Sequence, residues 1–141
     1  MNVLIIAGQG GGIGKLLVAA VKAACPNVSI TAVGTNTAAT AAMLKAGAHN
    51  AATGENAVIV GCRKADVIAG PIGIVIADAL LGEITPRMAL AIGQSNAQRI
   101  LVPVNHCDNI VVGLPELPLS ALAQEAARRI AALQEEKGGC A

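Results

Sequence analysis

Val3-Leu4-Ile5-Ile6-Ala7-Gly8-Gln9-Gly10-Gly11-Gly12-Ile13-Gly14-Lys15 is the stretch that decides how this chain folds. An unbroken apolar run of this length suits a strand covered on both faces. After the glycines, Ile13, Leu16, Leu17, Ala20, Val21 and Ala24 recur at helical spacing and form one apolar face. A buried strand that turns through glycine into an amphipathic helix leaves the first helical N–H groups uncovered, where they suit a phosphate. Gly8 to Lys15 is therefore the first candidate binding element, with the Lys15 ammonium within a turn of the expected phosphate.

The remainder alternates in the same way. Strands are expected over residues 2–7, 28–33, 66–69, 99–104 and, briefly, 110–112. The second leads through Gly34-Thr35-Asn36-Thr37 into an Ala-rich helix, with Thr35 or Thr37 as cap and Gly47 as stop. In residues 57–62 the Val-Ile-Val content suits a strand, while Thr53 and Asn56 three residues apart suit a helix start; a short helix is favoured. Gly70-Pro71-Ile72-Gly73 should turn into a buried helix ending near Gly82, and Thr85-Pro86 should open another that runs to Ser95. The closing helix, residues 119–137, should bury Leu119, Leu122, Ala126, Ile130 and Leu133. This pattern predicts an α/β protein, a Rossmann-like doubly wound and mostly parallel sheet of about five strands. A single domain over residues 1–137 is expected, with 138–141 as a flexible tail.

Open parallel sheets bind ligands outside the carboxyl ends of their strands. Four segments converge there: Gly8 to Lys15; Gly34, Thr35 and Asn36; Gly70, Pro71, Ile72 and Gly73; and the run beginning at Asn105. The third is a second candidate anion site. Asn36 and Asn105 are candidates for a base or sugar edge, and Glu55 for a general base. Cys107 with His49 or His106 is a weaker nucleophilic alternative, because adjacent side chains in Asn105-His106-Cys107-Asp108 do not converge. No metal-ligand spacing occurs, so no metal is expected.

As a dinucleotide fingerprint, Gly8, Gly12, Ile13 and Gly14 match the spacing of the short-chain dehydrogenases. The Tyr-x-x-x-Lys pair of their chemistry is absent, and Gly34-Thr35-Asn36 stands where an acidic residue would hold a ribose. A bound NAD(P)-type dinucleotide stays open and that reaction does not. As a Walker A loop the stretch fails at Gln9 and Leu16, which replace the first glycine and the magnesium-binding hydroxyl.

Of the 141 residues, 54% are hydrophobic and only 13% charged. Ordinary domains carry roughly a quarter charged residues, so a homo-oligomer that hides apolar surface is expected. Residues 1–54 contain Lys15, Lys22 and Lys45 and no acid, which favours an anionic partner in this region. The overall charge of +1 gives no reason to expect nucleic acid or membrane, and the absence of Phe, Tyr and Trp removes the usual platform for stacking bases. Cys25, Cys62, Cys107 and Cys140 show no paired spacing, and no signal segment opens the chain, so free thiols and a cytoplasmic location are expected.

The chain also resembles a family of short bacterial proteins known only as a domain of unknown function. The motifs are GQGGGIGK at 8–15, GTN at 34–36, MLKAGA at 43–48, ATGENA at 52–57, GPIGIVIA at 70–77 and LGEITP at 81–86. More distantly it is similar to the phospholactate transferase and gluconeogenesis-factor family, through its glycine loop, Asp66, Gly70-Pro71, Leu80-Leu81, Ala91-Ile92, Ser95, Ala97 and Asn105. That resemblance implies nucleotide or nucleotide-sugar binding, with Gly10, Gly11, Gly12, Gly70, Pro71 and Asn105 lining the site. Ile72-Gly73 replaces the serine of that family's second motif, and its acidic loop near the second strand is missing. The expected function is thus binding of a nucleotide, dinucleotide or other phosphorylated small molecule, with a regulatory role left open. The alternatives are a transferase on such a substrate and a structural oligomer without a ligand.

Overall fold

In the computed structural model, residues 1–104, 108–114 and 116–139 are described. The chain runs β1 (Asn2–Ala7), α1 (Gly12–Ala24), β2 (Ser29–Gly34), α2 (Thr37–Lys45), β3 (Asn50–Thr53), α3 (Glu55–Lys64) and β4 (Val67–Pro71). A 3-10 turn (Ile72–Val75), α4 (Pro86–Gln94), β5 (Gln98–Val102) and α5 (Leu119–Gly139) complete it. The five strands are parallel in the order β3-β2-β1-β4-β5. The winding direction reverses between β1 and β4, which makes the carboxyl end of β1 the switch point.

Alternation along β1 explains the two layers. Val3, Ile5 and Ala7 face a core completed by α1, α2 and α5, including Leu17, Val21, Met43, Ala126 and Ile130. Leu4 and Ile6 face the other, built with Val58, Ile74, Leu80, Ile84, Met88 and Ile92. Each such aliphatic side chain contributes about 1.5–3 kcal/mol on burial, so β1 anchors both layers. The fold is the expected single Rossmann-like α/β domain.

Several elements differ from expectation. The fifth strand is β3, not residues 110–112; Ile110 and Val112 lie outside any strand and are 91% and 90% exposed. Asn50-Ala51-Ala52-Thr53 has neither aromatic nor β-branched residues before Thr53, and joins the sheet edge through its register with Thr31 to Gly34. Residues 57–62 are helical, within α3. The helix expected after Gly73 is a single 3-10 turn followed by an irregular loop, in which Asp78, Leu80 and Leu81 have positive φ. α2 is capped by Asn36, whose side chain accepts from Ala39 N–H at 2.9 Å, rather than by Thr35 or Thr37. In α4, Thr85 caps as expected by accepting from Met88 N–H. Leu119 is exposed, and Ala123, Ala126, Ala127 and Ile130 form the buried face of α5.

Candidate functional site

The carboxyl end of β1 opens into a tight turn. Gly11 N–H donates to the Gly8 carbonyl at 3.0 Å, with Gln9 at φ 51° and Gly11 at φ 75°. Gly12 then starts α1, whose first-turn amides have no acceptor within their own helix.

The glycines divide by what a side chain would meet. At Gly8 a Cβ would lie 2.6 Å from Thr35 Oγ1, and at Gly14 2.6 Å from Ala7 Cβ and 2.8 Å from Met43 Sδ. Gly11 needs its left-handed backbone and sits against Ala39. These three have structural reasons to be glycine. Gly10 and Gly12 have none: a Cβ on either would enter open space, and neither has a positive φ. Both border a cleft of about 200 Å³ lined also by Gly8, Gln9, Ile13, Val104 and Leu119. Lys15 is exposed on the first turn of α1.

The end of β2 meets this turn through a residue that the sequence pattern did not single out. Glu83 Oε1 accepts from Gln9 N–H at 2.7 Å, from Thr35 Oγ1 at 2.5 Å and from Asn36 Nδ2 at 3.1 Å. Asn36 Nδ2 also donates to the Gln9 carbonyl at 2.8 Å. One carboxylate thus ties the loops after β1 and β2 to the loop after β4. Partial burial pushes its pKa up, and the donors from Gln9, Thr35 and Asn36 outweigh this, leaving it below the ordinary glutamate value. Its place in an irregular loop, 74 residues from Gln9, gave no local sign of this role.

The other expected site residues separate. Gly34 packs at the carboxyl end of β2, where a Cβ would lie 2.3 Å from Thr40 Oγ1. Gly70 and Pro71 are buried as the last residues of β4; a Cβ on Gly70 would lie 2.3 Å from the Ile6 carbonyl oxygen. Ile72 and Gly73 enter the four-residue 3-10 turn, so the helix N-terminus expected to hold an anion there is not formed. Asn105, His106 and Cys107 lie outside the described residues. His49 precedes β3 at the amino edge, and its Nδ1 accepts from Ile30 N–H at 3.0 Å, a structural bond away from the rim. Glu55 accepts from Thr85 Oγ1 at 2.5 Å and lies 3.9 Å from Arg87, joining α3 to α4. Burial raises the thiol of Cys62 to about 11 and also raises that of Cys25, so neither is an activated nucleophile. Among the described residues no group of three or more His, Cys, Asp or Glu side chains is placed to hold a metal, and no helix is long and apolar enough to cross a membrane.

Sheet order, switch point and glycine turn define a doubly wound, Rossmann-like α/β protein with an open loop at its carboxyl rim. The chain belongs to the family described as a domain of unknown function (DUF3842), which it matches over residues 2–135. Comparison with curated proteins gives no match. Among solved structures, it is similar to a dodecameric FMN-dependent UbiX-like decarboxylase from Escherichia coli O157:H7, with 20% sequence identity and a TM-score of 0.47. That similarity covers 94% of this chain and 76% of the other.

Proposed function

We propose that the protein binds a phosphorylated small molecule, a nucleotide or NAD(P)-type dinucleotide among them, with its phosphate in the cleft beside Gly10, Gly12 and Ile13. The observation that carries this reading is that Gly10 and Gly12 lack a side chain where the fold has room for one. Glycine in such a place lets a ligand approach the backbone closely. The α1 amides and the Lys15 charge favour an anion at the same end of the helix.

A transferase patterned on the phospholactate transferase family would need Gly70 and Pro71 at the ligand, and both are buried in β4. Binding is therefore the better supported reading. Homo-oligomerisation belongs to the same proposal. Leu81, Ile110, Val112, Leu114, Leu117 and Leu119 are exposed beyond the carboxyl ends of β4 and β5, while charged residues to solubilise them are few.

Melting temperature read by far-UV circular dichroism tests the binding reading, with AMP, NAD, NADP and ribose 5-phosphate as probes. A ligand at one hundred times its Kd stabilises the folded state by about 2.7 kcal/mol. At least one probe should raise the melting temperature of the wild type and fail to raise that of Gly12→Val, at which an added Cβ has no protein neighbour within 4 Å. Wild type indifferent to every probe, or an equal response in both proteins, would overturn the reading.

A further inference from the structure

Three donors of different origin, a backbone N–H from Gln9, a hydroxyl from Thr35 and a side-chain amide from Asn36, converge on a single oxygen atom. That oxygen belongs to a carboxylate, and among the described residues no cationic side chain forms a salt bridge with it. Neutral donors gathered around one anionic oxygen are the chemistry of an oxyanion site. The carboxylate arrives on a loop with an unusual backbone: Leu80, Leu81 and Gly82 all have positive φ, and Leu80 and Ile84 are buried on either side as anchors. Leu81 is 96% exposed, so its own side chain does not hold the loop in this shape. A Cβ on Gly8 would come within 2.7 Å of Glu83 Oε1, and Gly8 also lines the adjoining cleft. The donors and the cleft therefore share a wall.

We infer that Gln9 N–H, Thr35 Oγ1 and Asn36 Nδ2 form an oxyanion site that Glu83 fills from within the chain, making Glu83 a built-in competitor for an anionic ligand oxygen. The inference rests on the phosphate-binding proposal and extends its site across the Gly8 and Gln9 wall of the cleft, to donors that an anion reaches only by displacing Glu83. The class of ligand group is a phosphoryl or carboxylate oxygen, since both present the same acceptor to the three donors. Occupation by Glu83 lowers apparent affinity in proportion to the fraction of time the site is closed.

The experiment titrates inorganic phosphate and, separately, acetate into wild type, Glu83→Ala and Glu83→Gln at constant ionic strength. The readouts are melting temperature by far-UV circular dichroism and the Gln9 amide shift by NMR. Phosphate should bind Glu83→Ala at least about tenfold more tightly than wild type, as expected for a site closed nine-tenths of the time, and should move the Gln9 amide. Glu83→Gln should fall between the two, because a neutral carbonyl competes less well than a carboxylate. An equal gain for acetate supports a general oxyanion site, and a gain for phosphate alone supports a phosphoryl site. Folded Glu83→Ala that takes up neither anion overturns the inference, as does wild type that binds phosphate equally well. If Glu83→Ala does not fold, Glu83→Gln with wild-type phosphate affinity overturns it. The binding proposal fails independently, through Gly12→Val and the phosphorylated probes on wild type.

Discussion

Alanine placed at Gly12 and at Gly14, two residues apart in one helix, should move stability in opposite directions. Removing glycine restricts the unfolded chain and stabilises by about 0.4–1 kcal/mol wherever the native backbone accepts alanine. At Gly12 the backbone accepts it and the new methyl meets nothing within 4 Å. For a chain of this size each kcal/mol shifts the melting temperature by roughly 3–4 °C, so Gly12→Ala should melt about 1–4 °C higher. At Gly14 the same entropic gain is opposed, because the methyl would stand 2.6 Å from Ala7 Cβ and 2.8 Å from Met43 Sδ. Met43 can swing away; Ala7 is fixed in β1 and fully buried. Overpacking of this kind costs about 1–3 kcal/mol, which leaves a net loss of up to about 2.6 kcal/mol and a melting temperature lower by up to roughly 10 °C. Thermal melts by far-UV circular dichroism measure both. A destabilised Gly12→Ala would refute the reasoning, because Gly12 would then have a structural reason to be glycine and would no longer point to a ligand.

The depressed pKa of Glu83 predicts a pH dependence: its stabilisation is present above the unfolded-state pKa and is lost as pH falls through the lower folded-state value. Urea-unfolding curves from neutral pH into acid should therefore slope more for wild type than for Glu83→Gln, and parallel slopes would count against the carboxylate network. Asn36→Ala removes the α2 cap and two side-chain donations together, and should cost about 1–3 kcal/mol in urea unfolding; a loss below about 0.5 kcal/mol would show that Asn36 does not bridge the loops.

The opening strand, turn and helix were legible because two independent signals agree there: a two-sided apolar run, and an apolar face at helical spacing beyond the glycines. α3 was ambiguous on composition. It resolves as a helix because Val58 and Cys62, four residues apart, turn together into one core layer. β3 left no trace in its side chains, since two alanines and two short polar residues carry no pattern; backbone pairing with β2 places it. Residues 72–84 misled for the opposite reason. They are apolar enough for a buried helix, yet Ile74, Ala79, Leu80 and Ile84 reach the core from a loop whose left-handed leucines have no signature in composition. At the site, Gln9, Thr35 and Asn36 were found through their strand ends. Glu83 was not, because its partners are assembled only by the tertiary fold.

The size of the cleft limits what the rim encloses. Pockets that bury a whole small molecule usually measure about 300–1,000 Å³, whereas the space beside Gly10 and Gly12 is about 200 Å³. Under the binding proposal, a cleft of this size holds the phosphate end of a ligand and leaves the rest of a nucleotide outside it. Beyond the cleft the chain offers aliphatic surface instead of aromatic platforms, with Leu119 on the cleft wall and Ile110 and Val112 exposed in the segment leading to α5. Under the binding proposal, affinity must come chiefly from the phosphate end, where backbone amides give orientation. The aliphatic rim adds burial that tolerates different ligand bodies. Such a division makes a protein selective for the anionic group and permissive toward what it carries, so the probe panel should rank by phosphate content before it ranks by base.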